Sequence, residues 1–570
     1  MDNLEVKAAE MESVAEDRVI QARGVWHRPN VTGEETNLEG ICSVLDTLQK
    51  TGVNLVFLET FYHGMTMYRS SLIPYYTGFD KFDYSPYPDY LSAFVAEATK
   101  RGIEVHAWVE DFYIGVDENY FTKHLSQWLM QTKDGAIRQS EGEEYGGYLF
   151  LDPANPDVRQ YLVNFYHELL TKFPEIAGLN LDYIRYPVSS RYDDTGYTEV
   201  AMNGFAEEMG FAFPENATRE EKVAMVAERY NDWVNYRAGR VTTFVGQVYD
   251  MVRTQHAGVL LSTAVFPEQG KSFGDKKQDF NTWLARGYLD IITPMAYYDD
   301  IGSLKNALEG MLPGLSACYC YAGISPTYHN LSNERVLQQM QTTKDTGADG
   351  FVFFGSQSIL NNARYIELLQ QQFREESAPA LLPHAQAQKL IGATAAELEK
   401  QLTQAGEPAE KLQSLLQQLQ ALSDEADDRD VKKMEQVQKQ LRLLVRYNLG
   451  NFVTEANLDL AKQPLEQLLR YISVKADRLA HKTDPGEETP EPDVPATQPE
   501  QTPTEPQQTQ PAQPKSANLA RTVGLGAAVA AVAAACAACI HAIRKGRPCR
   551  VRVGRSDGSR RMERSAPRPD

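Results

Sequence analysis

Acidic residues stand just beyond short apolar runs throughout the first two-thirds of this 570-residue chain: Glu59, Glu110, Asp182, Glu268 and Asp299. Trp26, Tyr62, Tyr68, Trp108 and Tyr297 lie close to them in sequence. Carboxylates brought to one rim with aromatic faces among them suit glycoside cleavage. One carboxylic acid protonates the leaving oxygen, a second carboxylate attacks the sugar or activates water, and the rings stack on sugar faces. On this reading Asp182, Glu110 and Glu268 are the expected catalytic groups. Glu59, Tyr68, Trp108, Arg185, Tyr297 and Asp299 are expected to hold substrate. Each also has a structural reading: Asp182 as a partner for Arg185, Glu110 and Glu268 as solvated rim groups, Tyr68 and Trp108 as core.

Other chemistries find less support. No GxSxG nucleophile elbow is present, and His27, His63 and His106 lack HExxH spacing. The six cysteines form no zinc pattern, and Cys318 and Cys320, two apart on one strand face, read as packing thiols. No metal or organic cofactor is implied. A formal net charge of −20 argues against a general nucleic-acid binder.

The elements that must position these residues follow from periodicity. Eight strand-like runs occur in order: Ala22–Trp26, Asn54–Thr60, Glu104–Glu110, Gly178–Ile184, Val259–Phe266, Asp290–Ala296, Cys318–Ile324 and Gly350–Gly355. Helical patterns such as Leu38–Thr51 and Tyr90–Arg101 lie between them, and glycine turns at Gly52, Gly102, Gly287 and Gly347 precede four of the runs. Eight alternating units predict an α/β chain folded as a (β/α)8 TIM barrel over residues 20–375. An open doubly wound sheet is the alternative, but no GxGxxG follows the first run. Barrel enzymes gather their chemistry at the C-terminal strand ends, where the residues above stand.

Several segments together resemble the glycosyl hydrolase-like 10 family of bacterial barrels. They are Gly24-Val25-Trp26, Glu104-Val105-His106-Ala107-Trp108, Leu151-Asp152-Pro153-Ala154-Asn155-Pro156, Gly178-Leu179-Asn180-Leu181-Asp182-Tyr183-Ile184-Arg185-Tyr186-Pro187, Gln278-Asp279-Phe280 and Pro294-Met295-Ala296-Tyr297. The resemblance implies a TIM-barrel glycosidase with Asp182 and Arg185 in the site, and cell-wall glycan among its substrates. Chitinases end strand 4 in DxDxE; Ile184 stands where their acid would be, so substrate-assisted chemistry is not implied.

Beyond the barrel, residues 384–482 are rich in Gln, Leu, Ala, Glu and Lys, with Leu412, Leu415, Leu416, Leu419 and Leu422 at helical spacing. Breaks at Gly406–Pro408, Asp424–Asp430 and Asn448–Asn451 predict three or four helices, a small bundle or hairpin, serving as a spacer or as a partner-binding coiled coil that could self-associate. Residues 483–519 hold nine prolines among Thr, Gln and Glu, the composition of a disordered linker. Residues 522–543 contain no Asp, Glu, Lys or Arg; as a helix they would measure about 33 Å, enough to cross a bilayer. Residues 544–570 carry ten Lys/Arg against three Asp/Glu. By the positive-inside rule this predicts a single-pass cell-membrane protein with a cytoplasmic tail and an extracellular barrel. Met1–Ile20 shows no apolar signal segment, which weighs against that orientation. The expected partners are a polysaccharide or peptidoglycan glycan strand and the lipid bilayer. The alternative from another class is a catalytically inactive carbohydrate-binding or cell-surface scaffold protein on the same fold.

Overall fold

The computed structural model describes residues 19–483, apart from 31–32, 77, 190–192, 316 and 374–379. Eight parallel strands form the barrel: β1 (Ala22–His27), β2 (Leu55–Tyr62), β3 (Glu104–Val109), β4 (Gly178–Leu181), β5 (Leu260–Val265), β6 (Ile291–Pro294), β7 (Tyr319–Ile324) and β8 (Gly350–Phe354). Each pairs with its neighbour in sequence. β1 pairs both with β2, Gly24 opposite Leu55, and with β8, Ala22 opposite Gly350, which closes the ring. The expected strands are all present, with ends shifted by a few residues. Strand β4 stops at Leu181, so Asp182 already belongs to the loop.

Local chemistry sets the boundaries. Asn37 accepts a hydrogen bond from the Gly40 N–H at 2.9 Å and starts the helix Leu38–Lys50. Asp89 does the same for Tyr90–Lys100 through Ser92. The chain then reverses at Gly52, Gly102, Gly287 and Gly347, all with φ between 66° and 89°, a region open to glycine at little cost.

Period-two alternation sorts the strand side chains into two cores. Val56, Leu58, Val105, Ala107, Val109, Cys318, Cys320, Phe351 and Phe353 pack outward under the helices. Leu55, Phe57, Trp108, Trp26, Ile291, Tyr319, Tyr321 and Val352 belong to a second cluster on the opposite strand faces, inside the barrel. Cys318 and Cys320 are buried free thiols, as the sequence reading expected. In the middle layer Trp26 stacks on Phe57 at 5.6 Å and meets Phe354 edge-on at 6.2 Å. Glycines leave space for it: a Cβ on Gly323 would lie 3.0 Å from the Trp26 ring. The β4–β5 connection holds three helices, Glu199–Glu208, Arg219–Glu228 and Tyr230–Gln255, which form a small core of their own around Phe205 and Trp233.

Residues 387–483 form helices Ala387–Gln404, Ala409–Glu425, Val431–Leu443 and Leu458–Thr483, with a short helical link at Leu444–Phe452. Leu412, Leu415, Leu419 and Leu422 are buried. This bundle is continuous with the interior of the barrel at the N-terminal strand ends, sharing a cluster with Ile20, Leu55, Ile291 and Tyr319. Arg470 donates to both oxygens of buried Asp349 at 2.7 and 2.6 Å. Arg478 pairs with Asp290, and Tyr321 Oη lies 2.7 Å from His384 Nδ1. The leucine face is thus consumed inside the chain. These helices form the small bundle that the breaks in the leucine pattern predict.

Among the described residues no helix is long and apolar enough to cross a membrane. The apolar run 522–543, the basic tail 544–570 and all but the first residue of the proline-rich stretch 483–519 lie outside the described residues.

Arg470→Ala strands the buried Asp349 charge. Removal of one member of such a pair costs about 3 kcal/mol, so equilibrium urea unfolding is expected to show that loss of stability, with bundle amides gaining hydrogen exchange first.

Candidate active site

The inward row of each strand, carried one step past the Trp26 layer, delivers the polar residues: Arg28 from β1, Glu59 from β2, Glu110 beyond β3 and Asp182 beyond β4. Above them opens a pocket of about 520 Å³, lined by Trp26, Arg28, Trp108, Asp182 and Tyr297 among others.

Asp182 is 8% exposed and lines this pocket. Its Oδ2 accepts the Trp108 indole N–H at 3.0 Å, and its Oδ1 accepts the Tyr183 backbone N–H at 2.7 Å. Burial raises its pKa, and these two donors work against the rise. Glu59 is fully buried and takes a two-pronged ion pair from Arg28, at 2.5 and 2.7 Å. Burial nevertheless pushes its pKa up. Glu110, also buried, lies 3.5 Å from Arg28 and accepts the His63 backbone N–H at 2.8 Å. Burial raises its pKa well above the ordinary carboxyl value, the Glu59 charge adds to the rise, and Asp182 contributes further. The raised pKa extends the pH range over which Glu110 holds a proton, while the Arg28 charge and the His63 N–H work against the rise. Its neighbour Asp111 turns to the helical layer, where it accepts the Tyr166 hydroxyl at 2.6 Å.

Backbone strain marks the same rim. His63, Asp111 and Tyr183 follow β2, β3 and β4 with φ of 50°, 26° and 50°. Side chains other than glycine adopt this region at a cost of about 1–3 kcal/mol each, and such residues concentrate at functional sites.

The remaining expected residues separate into two groups. Trp108 and Tyr297 line the pocket, Tyr297 stacked on Phe354 at 5.3 Å. Arg185 also lines it, but its guanidinium grips Glu141 with two bonds of 2.9 Å; the direct partner of Arg185 is thus Glu141 and not Asp182. Burial would raise the Glu141 pKa, yet the Arg185 charge holds it below the usual range. Glu268 stands on the far wall, paired with Lys271 and 3.3 Å from the Tyr298 hydroxyl. The hydrogen bond from Lys271 holds its pKa down, which suits a charged wall group better than a proton donor. Tyr68 is absent from the pocket. It packs against Phe165 and Phe173 and donates to Glu168 at 3.2 Å, because its ring fits between the barrel and the helix Pro156–Lys172. Asp299 is exposed outside the pocket lining. Ile184 is buried in the core, so no acid stands at that position.

Glu104, His106 and His384 place three donor atoms within 4.8 Å of one another, a set able to hold a metal ion. Glu104 Oε1 already faces both histidine Nε2 atoms, at 2.8 and 2.7 Å. The cluster belongs to the start of β3, at the barrel end opposite Asp182, and ties the strand to the bundle.

The glycosyl hydrolase-like 10 model matches residues 21–311, just over half of the chain. The chain belongs to the glycosyl hydrolase-like 10 family. It is similar to "Glycosyl hydrolase DigH" of Escherichia coli K12, 25% identical over 263 residues that cover 45% of this chain and 56% of that protein. It is 23% identical over 273 residues to "Glycosyl hydrolase YngK" of Bacillus subtilis, covering 45% of this chain and 48% of that one. The match thus spans about half the length of these relatives. A solved structure, the PgaB (BpsB) glycoside hydrolase domain from Bordetella bronchiseptica, aligns with a TM-score of 0.44 at 13% identity, over 63% of this chain and 100% of that domain.

Several motifs behind this glycosyl hydrolase-like 10 membership have structural duties. In the segment Leu151–Pro156, Asn155 caps the helix Pro156–Lys172 and Pro156 opens it. Gln278 bonds the Phe266 N–H at 2.9 Å and the Ala264 carbonyl at 3.1 Å, which fixes the end of β5 against the pocket. Sequence reasoning missed Arg28, Glu141, Tyr148, Lys276 and Tyr328, all of which line the site. Arg28 was findable, as the next inward position after Trp26; Glu141 and Tyr328 come from loops without periodicity.

Trp108→Phe keeps the ring and deletes the donor to Asp182. The Asp182 pKa is expected to climb further, because the charged form loses a hydrogen bond while burial persists. Carbon-detected NMR titration of the aspartate carboxyls checks this.

Proposed function

We propose that the chain is a glycoside hydrolase working by paired carboxylates. The observation that carries the reading is Asp182, held by the Trp108 indole at the foot of an aromatic-lined pocket, with Glu110, its pKa raised by burial and by the Glu59 and Asp182 charges, on the same rim. Asp182 acts as nucleophile or base and Glu110 as proton donor, with Arg28 neutralising Glu59 so that three acids can share one rim. Tyr297 and the exposed Tyr328 supply faces for sugar rings. Family membership supports the reaction class.

The substrate we propose is a polysaccharide, with cell-wall glycan the leading case. The 22-residue uncharged run at 522–543 and the ten basic residues after it support a membrane anchor with the barrel outside. The proline-rich stretch 483–519 supports a reach between anchor and barrel.

Asp182→Asn is expected to cut kcat by about 10³-fold or more with thermal unfolding nearly unchanged; normal turnover would remove Asp182 from the mechanism. Glu110→Gln tests the donor through pH. A raised pKa extends upward the pH range over which this acid carries its proton, and activity falls as pH climbs through that pKa. The variant is expected to lose about 10²–10⁴-fold in kcat together with the alkaline limb of the profile. Deletion of residues 522–570 is expected to move the protein from the membrane to the soluble fraction with kcat/KM unchanged.

A further inference from the structure

Acids at the floor of the barrel are matched in different ways. Asp349 is held by Arg470, and Asp290 by Arg253 and Arg478. Glu104, at the start of β3, has no such cation: among the described residues no Lys or Arg pairs with it. Its partners are two histidines. The Nε2 atoms of His106 and His384 lie 2.8 and 2.7 Å from the same oxygen, Glu104 Oε1.

Three donor atoms of metal-ligating type thus converge within 4.8 Å of one another, brought together from strand β3 and from the segment that leads into the helical bundle. Both rings are fixed in place. Tyr321 Oη lies 2.7 Å from His384 Nδ1, and Lys475 of the last helix donates to the His384 carbonyl at 3.1 Å. A proton on Nδ1 can therefore go to the tyrosine oxygen while the Nε2 lone pair faces Glu104, the second bond a ligating histidine usually makes. His106 is held by packing alone, since its Nδ1 is buried without a partner. Its ring meets Phe57 edge-on at 5.3 Å and fills the space left by Gly178, where a Cβ would lie 2.3 Å from Nδ1. The histidine side chains are 0% and 7% exposed, whereas that of Glu104 is 27% exposed, which leaves a path from solvent.

We propose that Glu104, His106 and His384 bind a divalent transition-metal ion of the zinc class, which clamps the bundle to the start of β3. Two imidazole nitrogens and one carboxylate oxygen suit zinc, with water from the exposed side of Glu104 as the fourth ligand; magnesium and calcium favour all-oxygen sets. Ligation uses the Nε2 lone pairs, so each ring then carries its proton on Nδ1. The ion supplies Glu104 with the positive charge that arginines supply to Asp290 and Asp349. The site stands at the barrel end opposite Asp182 and does not depend on the glycosidase reading.

The full chain, stripped with a chelator and dialysed, is titrated with zinc chloride and separately with magnesium chloride, by calorimetry and by thermal unfolding. Zinc is expected to bind and to raise Tm by about 3 °C or more at a free concentration about 100 times Kd; magnesium is expected to do neither. Glu104→Gln and His384→Gln are each expected to lose one zinc equivalent together with the Tm rise. His167→Gln breaks another close histidine pair, in which His167 Nδ1 lies 3.0 Å from His256 Nε2, and is expected to keep both. Tyr321→Phe retains all three ligands and removes only the hydroxyl behind His384, so zinc affinity is expected to fall about 10–100-fold; this variant decides the matter if the ligand variants fail to fold. No zinc binding, an equal response to magnesium, zinc that survives loss of Glu104 and His384, zinc that leaves with His167, or unchanged affinity in Tyr321→Phe overturns the proposal and makes the cluster a hydrogen-bonded network only.

Discussion

A closed parallel barrel gives its inward side chains no water and no free backbone group. Every polar atom that the two-residue alternation sends inside must find a partner there or stay desolvated. The rest of the molecule follows from how this chain meets that demand. In the middle layer, aromatic rings from β1, β2, β3 and β8 fill the space, and the indoles spend their single N–H on Asn180 and Asp182. One step higher the inward row turns acidic, and Arg28 arrives from β1 to sit across Glu59 and Glu110. What results is a graded set of carboxyls: one gripped by an arginine, one buried beside it with its pKa pushed well up, and one open to the pocket.

The opposite end of the barrel has the same problem and solves it with other residues. There the inward rows begin with Glu104 and His106, and a Cβ at Gly178 would strike the His106 ring at 2.3 Å. His384, from the segment leading to the bundle, completes the network on Glu104. Asp290 and Asp349, near the starts of β6 and β8, draw Arg478 and Arg470 down from the last helix. The helical region is therefore the floor of the barrel, and the leucines that look like a partner-binding seam cover apolar strand ends.

Positioning of the site depends on ties behind the pocket and along its walls. Gln278 fixes the end of β5, and Ser272 on the following helix is bonded to Gln278, so the wall carrying Phe266, Glu268 and Lys276 moves as one piece. Glu141 locks Arg185 and accepts the Val188 N–H at 2.7 Å, joining the loops after β3 and β4. Such ties keep charged groups at set distances, on which the coupling of their pKa values depends.

The sequence by itself determined the strands, the helices between them, the glycine turns and the barrel, because each is written in local periodicity and local caps. It also determined that Asp182, Glu59 and Glu110 share a rim, since strand ends of a barrel converge wherever the strands are known. Only the tertiary structure decided how the rim charges pair. Glu141 reaches Arg185 across 44 residues that include a whole helix and strand β4, and nothing in the spacing announces that pair. Tyr68 shows the converse: it follows a strand end, as a sugar platform would, yet a neighbouring helix claims its ring. The destiny of the leucine helices was likewise a tertiary matter. An amphipathic face states only that something will cover it, and the nearest large apolar surface happened to be the floor of the same chain.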